Sequence, residues 1–471
     1  MTVLKRNRFT GTSEADFSGS SFDWQKALEE GPVAVSAPCR VDMGGTLDIR
    51  TFSYPLRHLG PCTVNIALDL RTTVRLAPHA RGRVKVSSRG FKSADFPADQ
   101  SPFRHPLGLM FATAAFFNAQ GVHIRVESGS PPRSALGGSS TAAVALVRAF
   151  MEVLRRGRRS AALDGRSVAL LAHAVEESVA GVPCGCQDQL AAAFGGVNAW
   201  HWLALPRAQV FRRERLIPRP GLRGLEPHLL AAYAGVPHES SDINSRWVRQ
   251  FVAGRFRGEW ADILACTQRF ADALRRRDFD GAAAAMNRET DIRRRMTPGV
   301  LDRLGRRLTA AARRNGCGAR FTGAGGGGCL WAVGAADAVA RLKPVWQEIL
   351  SERRPARLLE VKVAEISKTL LDKLGAEFSM TGSGGEWSTG ILTEFLSGSA
   401  GVMGAAKSAS KYLTIDAAKE DGRIKILAEP NIMAISGQTG QFLAGGRIFI
   451  PVSSDNDIGG QTVTLEERGI Q

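Results

Sequence analysis

The stretch Pro131-Pro132-Arg133-Ser134-Ala135-Leu136-Gly137-Gly138-Ser139-Ser140-Thr141 constrains this chain more than any other. Before it, Val122 to Glu127 alternates apolar and polar residues, the period of a strand. After it, Ala142 to Leu154 is an apolar run too long for a strand, which predicts a helix. A loop of small residues between the two lets backbone N–H groups approach an anion. The helix start adds unpaired donors and a positive dipole end. One such end contributes about 0.3–1 kcal/mol when exposed, so a polyphosphate needs several donors and a metal ion. Ser139, Ser140 or Thr141 has the hydroxyl to touch that metal. The same residues also fit a glycine-rich turn closed by a serine N-cap. No Gly-Lys-Ser/Thr ends the loop, which excludes a Walker loop, and the protein-kinase signatures are missing too.

Three further clusters carry candidate chemistry. Phe321-Thr322-Gly323-Ala324-Gly325-Gly326-Gly327-Gly328-Cys329 precedes a predicted strand. Its apolar flanks favour a tight loop inside a domain over a linker, with backbone open to a bulky ligand. Glu176-Glu177 ends a predicted helix, and Asp188 follows in a loop of small residues. Phosphoryl transfer needs magnesium and a group to receive a hydroxyl proton, so Glu176 is a candidate metal ligand and Asp188 a candidate base. Each alone also reads as a solvated helix face. Ser36 to Asp48 leaves the first predicted strand with Arg40 to stabilise phosphate charge and Asp42 or Asp48 to hold substrate hydroxyls. An ordinary strand exit is the alternative.

At 471 residues the chain calls for two or three domains. Strands are predicted at Val33–Ala37, Thr63–Leu68, Thr73–Leu76, Arg83–Ser87 and Gly328–Gly334. Helices are predicted at Leu107–Asn118, Ser167–Val179, Ser241–Val252, Trp260–Arg275, Pro298–Arg314 and Ala336–Leu350. Mixing without strict alternation points to α+β. Residues 1–360 hold 47 Arg and 5 Lys, whereas residues 361–471 hold 3 Arg and 7 Lys, which marks two segments of different origin or different surface chemistry.

The net charge of +17 invites a nucleic-acid reading. Its densest clusters, among them Arg275–Arg277 and Arg293–Arg295, sit beside helix-like segments and read as solvated helix faces, so anionic small substrates are expected and no nucleic acid. Seven cysteines without zinc-knuckle spacing, and a polar N-terminus, lead to the expectation of reduced thiols in a cytoplasmic protein.

In their order along the chain, these motifs resemble the signatures of the galactokinase–homoserine kinase–mevalonate kinase–phosphomevalonate kinase (GHMP) superfamily, from about Val33 to Arg357. The resemblance implies a ribosomal-protein-S5-like N-terminal domain over residues 32–215 and a ferredoxin-like domain over 216–357, preceded by an extension, 1–31. ATP and Mg2+ are the implied cofactors, and a sugar or sugar phosphate (heptose phosphate, fucose or galactose) the implied partner. By position, Leu136, Gly137, Gly138, Ser139, Ser140 and Thr141 hold the nucleotide, supported by Gly323, Gly325 and Gly326. Ser140 and Glu176 take the metal. Asp188 and Arg40 are catalytic, and Asp42, Asp48 and Gly185 face the substrate. The first motif lacks the Glu-His pair of galactokinases and is one residue shorter between Arg40 and Asp48.

Residues 358–471 extend beyond that fold. Strands are predicted at Leu359–Lys368, Ile424–Ser436, Gly440–Val452 and Thr462–Glu467. The runs Leu427–Asn431, Ser436–Thr439 and Phe442–Gly446 resemble the secretin family of outer-membrane rings, and the match stops at Gln471. A partial secretin segment joined to a kinase is the expectation, touching a membrane only if that segment functions; a generic β-rich appendix is the alternative.

Overall fold

The computed structural model describes residues 22–157, 164–181, 184–204, 210–237 and 240–364, together with six strands between 379 and 470. The chain divides into two units, Met1–Leu370 and Leu371–Gln471.

Helix α1 (Trp24–Glu30) starts the first unit, with the Asp23 carboxylate capping the Lys26 N–H at 3.0 Å. Its Trp24 is buried edge-on to Phe150, ring centroids 5.2 Å apart. Residues 24–30 therefore belong to the first domain's core, not to a separate extension ending at residue 31. Strands β1 (Val33–Met43), β2 (Cys62–Pro78), β3 (Arg83–Ser88), β4 (Ala94–Pro97), β5 (Val122–Ser128), β6 (Val197–Trp202) and β7 (Phe211–Ile217) form one sheet. Its order is β4-β3-β5-β2-β6-β7, with β1 also paired to β2, and the β3–β5 pair alone is parallel. Helices α2 (Gly108–Phe116), α3 (Gly138–Arg156), α4 (Gly165–Ala180) and α5 (Gln187–Phe194) complete the domain.

Two predicted strands, Thr63–Leu68 and Thr73–Leu76, are in fact one. The polar residues between them read as a break, yet the sheet satisfies them: Arg71 Nε donates to Ser36 Oγ at 2.8 Å, and the Thr72 and Ser128 hydroxyls share a hydrogen bond. An irregularity opposite Pro38 and Cys39 absorbs the extra residues of β2. Strand β1 also runs past Ala37 to Met43, so Arg40 and Asp42 lie within it rather than beyond it.

The second domain is an antiparallel sheet, β11-β8-β10-β9, built from β8 (Leu229–Tyr233), β9 (Gly318–Phe321), β10 (Cys329–Val333) and β11 (Arg357–Leu359). Its helices are α6 (Ser240–Val252), α7 (Arg257–Arg276), α8 (Phe279–Met296), α9 (Arg303–Arg314) and α10 (Ala336–Ser351). The fold is α+β, as the sequence indicates. Because β7 runs through residue 215, the junction between the sheets follows Ile217. The body also continues past residue 357: Val363 bridges Leu68, and Ala364 N–H donates to Ala67 O at 2.9 Å.

In the second unit, β12 (Ser379–Met380), β13 (Trp387–Leu392), β14 (Val402–Lys407) and β15 (Lys411–Asp416) pair antiparallel in chain order. Strands β16 (Ala444–Val452) and β17 (Thr462–Ile470) pair antiparallel as a separate two-stranded sheet. The predicted strand Ile424–Ser436 and the secretin-like residues 427–431 and 436–443 lie outside the described residues. Among the described residues no helix is long and apolar enough to cross a membrane.

Two apolar cores hold the first unit together, and β1 and β2 run through both. Val33, Ala37, Val74 and Leu76 pack in the first with α1 to α5. Cys39, Val41, Met43, Val64, Ile66 and Leu68 pack in the second with β8 to β10 and the helices of the second domain. Shared strands make the two domains one cooperative body. Ile66→Ala and Val74→Ala, each in a different core, should each cost about 1–4 kcal/mol. Urea denaturation followed by far-UV circular dichroism and by tryptophan fluorescence should show one coincident transition for this body in both variants; separate transitions would contradict the shared core.

Candidate active site

Side chains alternate across a strand, so Arg40 and Asp42 share one face of β1 while Cys39, Val41 and Met43 fill the core on the other. Arg40 is almost wholly buried and grips Asp188 with two prongs, Nε to Oδ1 at 2.7 Å and Nη2 to Oδ2 at 3.0 Å. Its Nη1 donates to Ala135 O at 2.6 Å and lies 3.4 Å from Asp42 Oδ1. Burial alone would push this guanidinium down; Asp188 and Asp42 instead hold it above its ordinary value. Asp188 sits in the first turn of α5, not in a loop, and remains partly exposed.

The glycine-serine loop meets Asp188 directly. Helix α3 begins at Gly138, so Gly138 to Thr141 form its first turn, ahead of the predicted start at Ala142. Gly137 caps it at φ +76°, and a Cβ there would lie 3.3 Å from Asp188 Oδ2. Arg133 and Ala135 also hold positive φ, 51° and 61°. Buried Leu136 anchors the loop, its carbonyl accepting from Arg40 N–H at 3.1 Å. Thr141 Oγ1 turns back onto Gly137 O at 2.7 Å, so its hydroxyl is spent within the helix, while Ser139 is exposed.

Ser140 donates to Glu176 Oε2 at 2.7 Å, and Gln189 Nε2 reaches the same oxygen at 2.7 Å. Burial pushes the Glu176 carboxyl up, against the hydrogen bonds that favour its charge. Gln189 Oε1 is buried without a partner. Carboxylate, hydroxyl and amide oxygens side by side form the hard donor set that magnesium takes.

The second glycine loop serves the first. Gly323, Gly325, Gly326, Gly327 and Gly328 all hold positive φ. A Cβ on Gly328 would meet Ser134 O at 2.6 Å and one on Gly327 would meet Pro237 O at 2.6 Å. Cys329 N–H donates to Ser134 O at 2.8 Å. At Gly327 and Gly328 close packing against neighbouring backbone requires glycine, whereas a Cβ on Gly326 would meet the Ile243 side chain and one on Gly323 would meet nothing closer than 3.6 Å.

Asp42, read from sequence as a substrate contact, faces inward instead. Its Oδ1 accepts from Gly323 N–H at 2.7 Å and its Oδ2 from Arg320 Nη1 at 2.9 Å, with no exposed surface. Arg320 and Arg40 outweigh burial and hold its carboxyl below the usual range. Asp48 stays near the site: Oδ2 accepts from Gln187 N–H at 3.1 Å, and a Cβ on Gly185 would strike that carboxylate at 1.7 Å. Beside it lies a cavity of about 50 Å³, room for one or two waters, whose lining includes Asp48, Arg50, Tyr54, His173 and Cys184. Burial pushes the Cys184 thiol up to about 12, so it stays protonated.

Sequence reading missed Arg320, Glu289, Arg293, Gln187 and Gln189. Arg293, taken for part of a solvated face, is fully buried: Nε donates to Glu289 Oε1 at 2.7 Å and Nη2 to Gly45 O at 2.6 Å. The signal available was the Glu289/Arg293 spacing of four on a helix.

Comparison with known proteins bears on this geometry. Residues 107–196 match the GHMP kinases N terminal domain, spanning the first glycine loop, Glu176 and Asp188. Residues 270–352 match the GHMP kinases C terminal family, spanning α8 and the second glycine loop. Two separate stretches of the chain thus match the N- and C-terminal domains of the GHMP kinases. Mevalonate kinase of Thermococcus sibiricus is 24% identical over 324 residues, 64% of this chain and 89% of that protein. D-glycero-alpha-D-manno-heptose 7-phosphate kinase of Campylobacter jejuni is 27% identical over 216 residues, 44% of this chain and 60% of that one. An uncharacterized protein of Sinorhizobium fredii is 38% identical over 112 residues, 22% of this chain, which spans 26% of its length. Two crystal structures share the GHMP kinase fold. Lactococcus lactis galactokinase complexed with galactose has a TM-score of 0.55 at 15% identity, covering 73% of this chain and 96% of that one. Streptococcus pneumoniae phosphomevalonate kinase in complex with phosphomevalonate and AMPPNP has a TM-score of 0.53 at 15% identity, covering 69% and 100%.

Burial raises Asp48 to about 7, with the negative charge of Asp188 adding to it. The folded state therefore keeps a proton there that the unfolded chain releases near pH 4. Between pH 4 and 7 the folded state binds more protons, so Asp48 makes stability fall as pH rises through that window. In D48N the falling component is gone. Urea midpoints from pH 4.5 to 8 should show D48N gaining on the wild type by about 1–4 kcal/mol as pH rises; parallel profiles would contradict a buried, proton-holding Asp48.

Proposed function

We propose that this GHMP kinase transfers the γ-phosphoryl group of ATP to a hydroxyl of a sugar or sugar phosphate. The observation that carries the reading is the Asp188 carboxylate, fixed by Arg40 against Gly137 at the start of α3. A triphosphate over the Gly138–Thr141 turn finds backbone N–H donors and the helix's positive end. Ser140 and Glu176 would hold magnesium, which neutralises phosphate charge. Asp188 takes the acceptor's hydroxyl proton as that oxygen bonds to the γ-phosphorus, and ADP leaves. Arg40 orients Asp188 and places positive charge beside the reacting groups. Asp48 and the Gly185 backbone form the acceptor's side of the site.

The small cavity beside Asp48 is too small for a sugar, but the cation at its rim favours an anionic acceptor bound next to it. Arg50 lines it, is exposed and forms no ion pair among the described residues. His173 lines it too, with a buried Nδ1 that lacks a partner. Mevalonate and heptose 7-phosphate, named for two relatives, are anions; galactose is not. A phosphorylated sugar fits these groups better than a neutral one. The secretin resemblance rests on sequence runs alone, and no activity is assigned to residues 365–471.

An ADP-release assay on the full chain across neutral hexoses, heptose phosphates and mevalonate tests this reading. Asp188→Asn should lower kcat about 10²- to 10⁴-fold on the acceptor used, with KM for ATP within about threefold. Arg50→Gln should raise KM about tenfold for a phosphorylated acceptor and leave neutral sugars unaffected. If no acceptor gives turnover that depends on Asp188, the kinase reading fails.

A further inference from the structure

Behind Asp188 and Arg40 runs a chain of side chains that phosphoryl transfer as described leaves without a role. From Asp188 it passes to Arg40, then past Asp42 to Arg320, whose Nε lies 3.2 Å from Glu289 Oε2. Glu289 accepts from Arg293 Nε at 2.7 Å, and Arg293 Nη2 donates to Gly45 O at 2.6 Å. Arg293 Nη1 reaches Thr46 Oγ1 at 3.4 Å. Charges alternate along the whole path, three carboxylates and three guanidinium groups. Arg320, Glu289 and Arg293 have no exposed surface at all.

The far end of the chain returns to the site. Thr46 holds φ +82°, a strained conformation for a β-branched residue, and Gly44 before it holds φ +70°. A Cβ on Gly45 would fall 2.4 Å from Asp42 Oδ2. The turn is thus pinned between Asp42 on one side and Arg293 on the other. Two residues on, Asp48 accepts from Gln187 N–H, and Gln187 precedes Asp188. The contacts close a ring from the candidate base, through the second domain, back to the candidate base.

We propose that Arg293, Glu289 and Arg320 are positioning residues that hold the Gly44–Asp48 turn, and with it the acceptor, in register with Asp188. This rests on the kinase reading above. A buried ion pair is weak evidence for stability, since well-packed apolar residues do as well. What apolar residues cannot supply is direction. The planar guanidinium of Arg293 aims separate N–H groups at Glu289, Gly45 and Thr46, while the rings of Trp247 and Trp260 lie 4.7 and 4.9 Å from its centre. Lysine keeps the charge but not this geometry.

The test uses the full chain and the acceptor the wild type phosphorylates. Arg293→Lys should raise KM for the acceptor tenfold or more, with KM for ATP within twofold. Thr46→Gly, which removes the need for strain at that position, should restore at least a third of the lost kcat/KM when combined with R293K. Glu289→Gln gives a second reading should R293K not fold, and should move the same constant in the same direction. Acceptor KM within twofold of wild type in a folded variant overturns the inference. So does a lower Tm with no change in acceptor KM, or a T46G combination that restores nothing. Wild-type protein inactive across the whole acceptor panel overturns the kinase reading and this inference with it; active wild type with unchanged variants overturns the inference alone.

Discussion

Asp42 is the charge on which the rest of this architecture depends. Taking a carboxylate fully out of water costs several kcal/mol, and only close partners offset it. Here Arg320 comes from β9, the Gly323 N–H from the loop that follows, and Arg40 from two residues back on β1. Arg320 Nη1 also donates to the Asp42 carbonyl, as does Trp331 Nε1 at 3.2 Å. One strand position thereby fixes where the second domain's glycine loop begins relative to the first domain's sheet. The first glycine loop follows, because the second packs against Ser134 and because Arg40 holds Ala135.

The two glycine loops look alike in sequence and do different work. Gly137 and Gly138 leave space in front of a helix start, next to a carboxylate. Gly323 and Gly325 to Gly328 instead all hold positive φ, a backbone shape that a side chain would resist, and at Gly328 the loop meets the Ser134 backbone of the first domain. Low side-chain volume opens a site in one case and closes an interface in the other. Glu176 of α4 and Ser140 of α3 complete the open one, with Gln189 of α5 on the same carboxylate oxygen.

Much of the fold was legible because long amphipathic helices announce their period. Ser167–Val179, Trp260–Arg275 and Ala336–Leu350 each lie within the helices observed, and Arg83–Ser87 and Val122–Glu127 within the strands. Helix α8 was not legible. Its buried face mixes three alanines with the polar Glu289, Thr290 and Arg293, and its last turn is an arginine run that resembles a solvated face. The burial of Arg293 depends on Trp247 and Trp260, which approach it only in three dimensions. Asp188 was expected in a loop and lies in a helix, since the eight residues of α5 are too few to show a period. Asp42 was misassigned for the same reason as Arg293: its partners Arg320 and Gly323 lie far along the chain.

The same asymmetry explains why phosphate chemistry reads more easily than acceptor identity. Binding a phosphate draws on backbone donors, and backbone geometry leaves glycine, serine and a helix start in the sequence as its mark. Choosing an acceptor, on the proposed reading, draws on isolated side chains such as Arg50, His173 and Asp48, contributed by a helical turn, by α4 and by the loop that follows β1. Each is ordinary in its own segment, and their conjunction around one cavity exists only once β1, α4 and the Cys184–Gln187 turn are packed together. On the reading proposed above, the exposed Arg50 beside that cavity would favour an anionic acceptor.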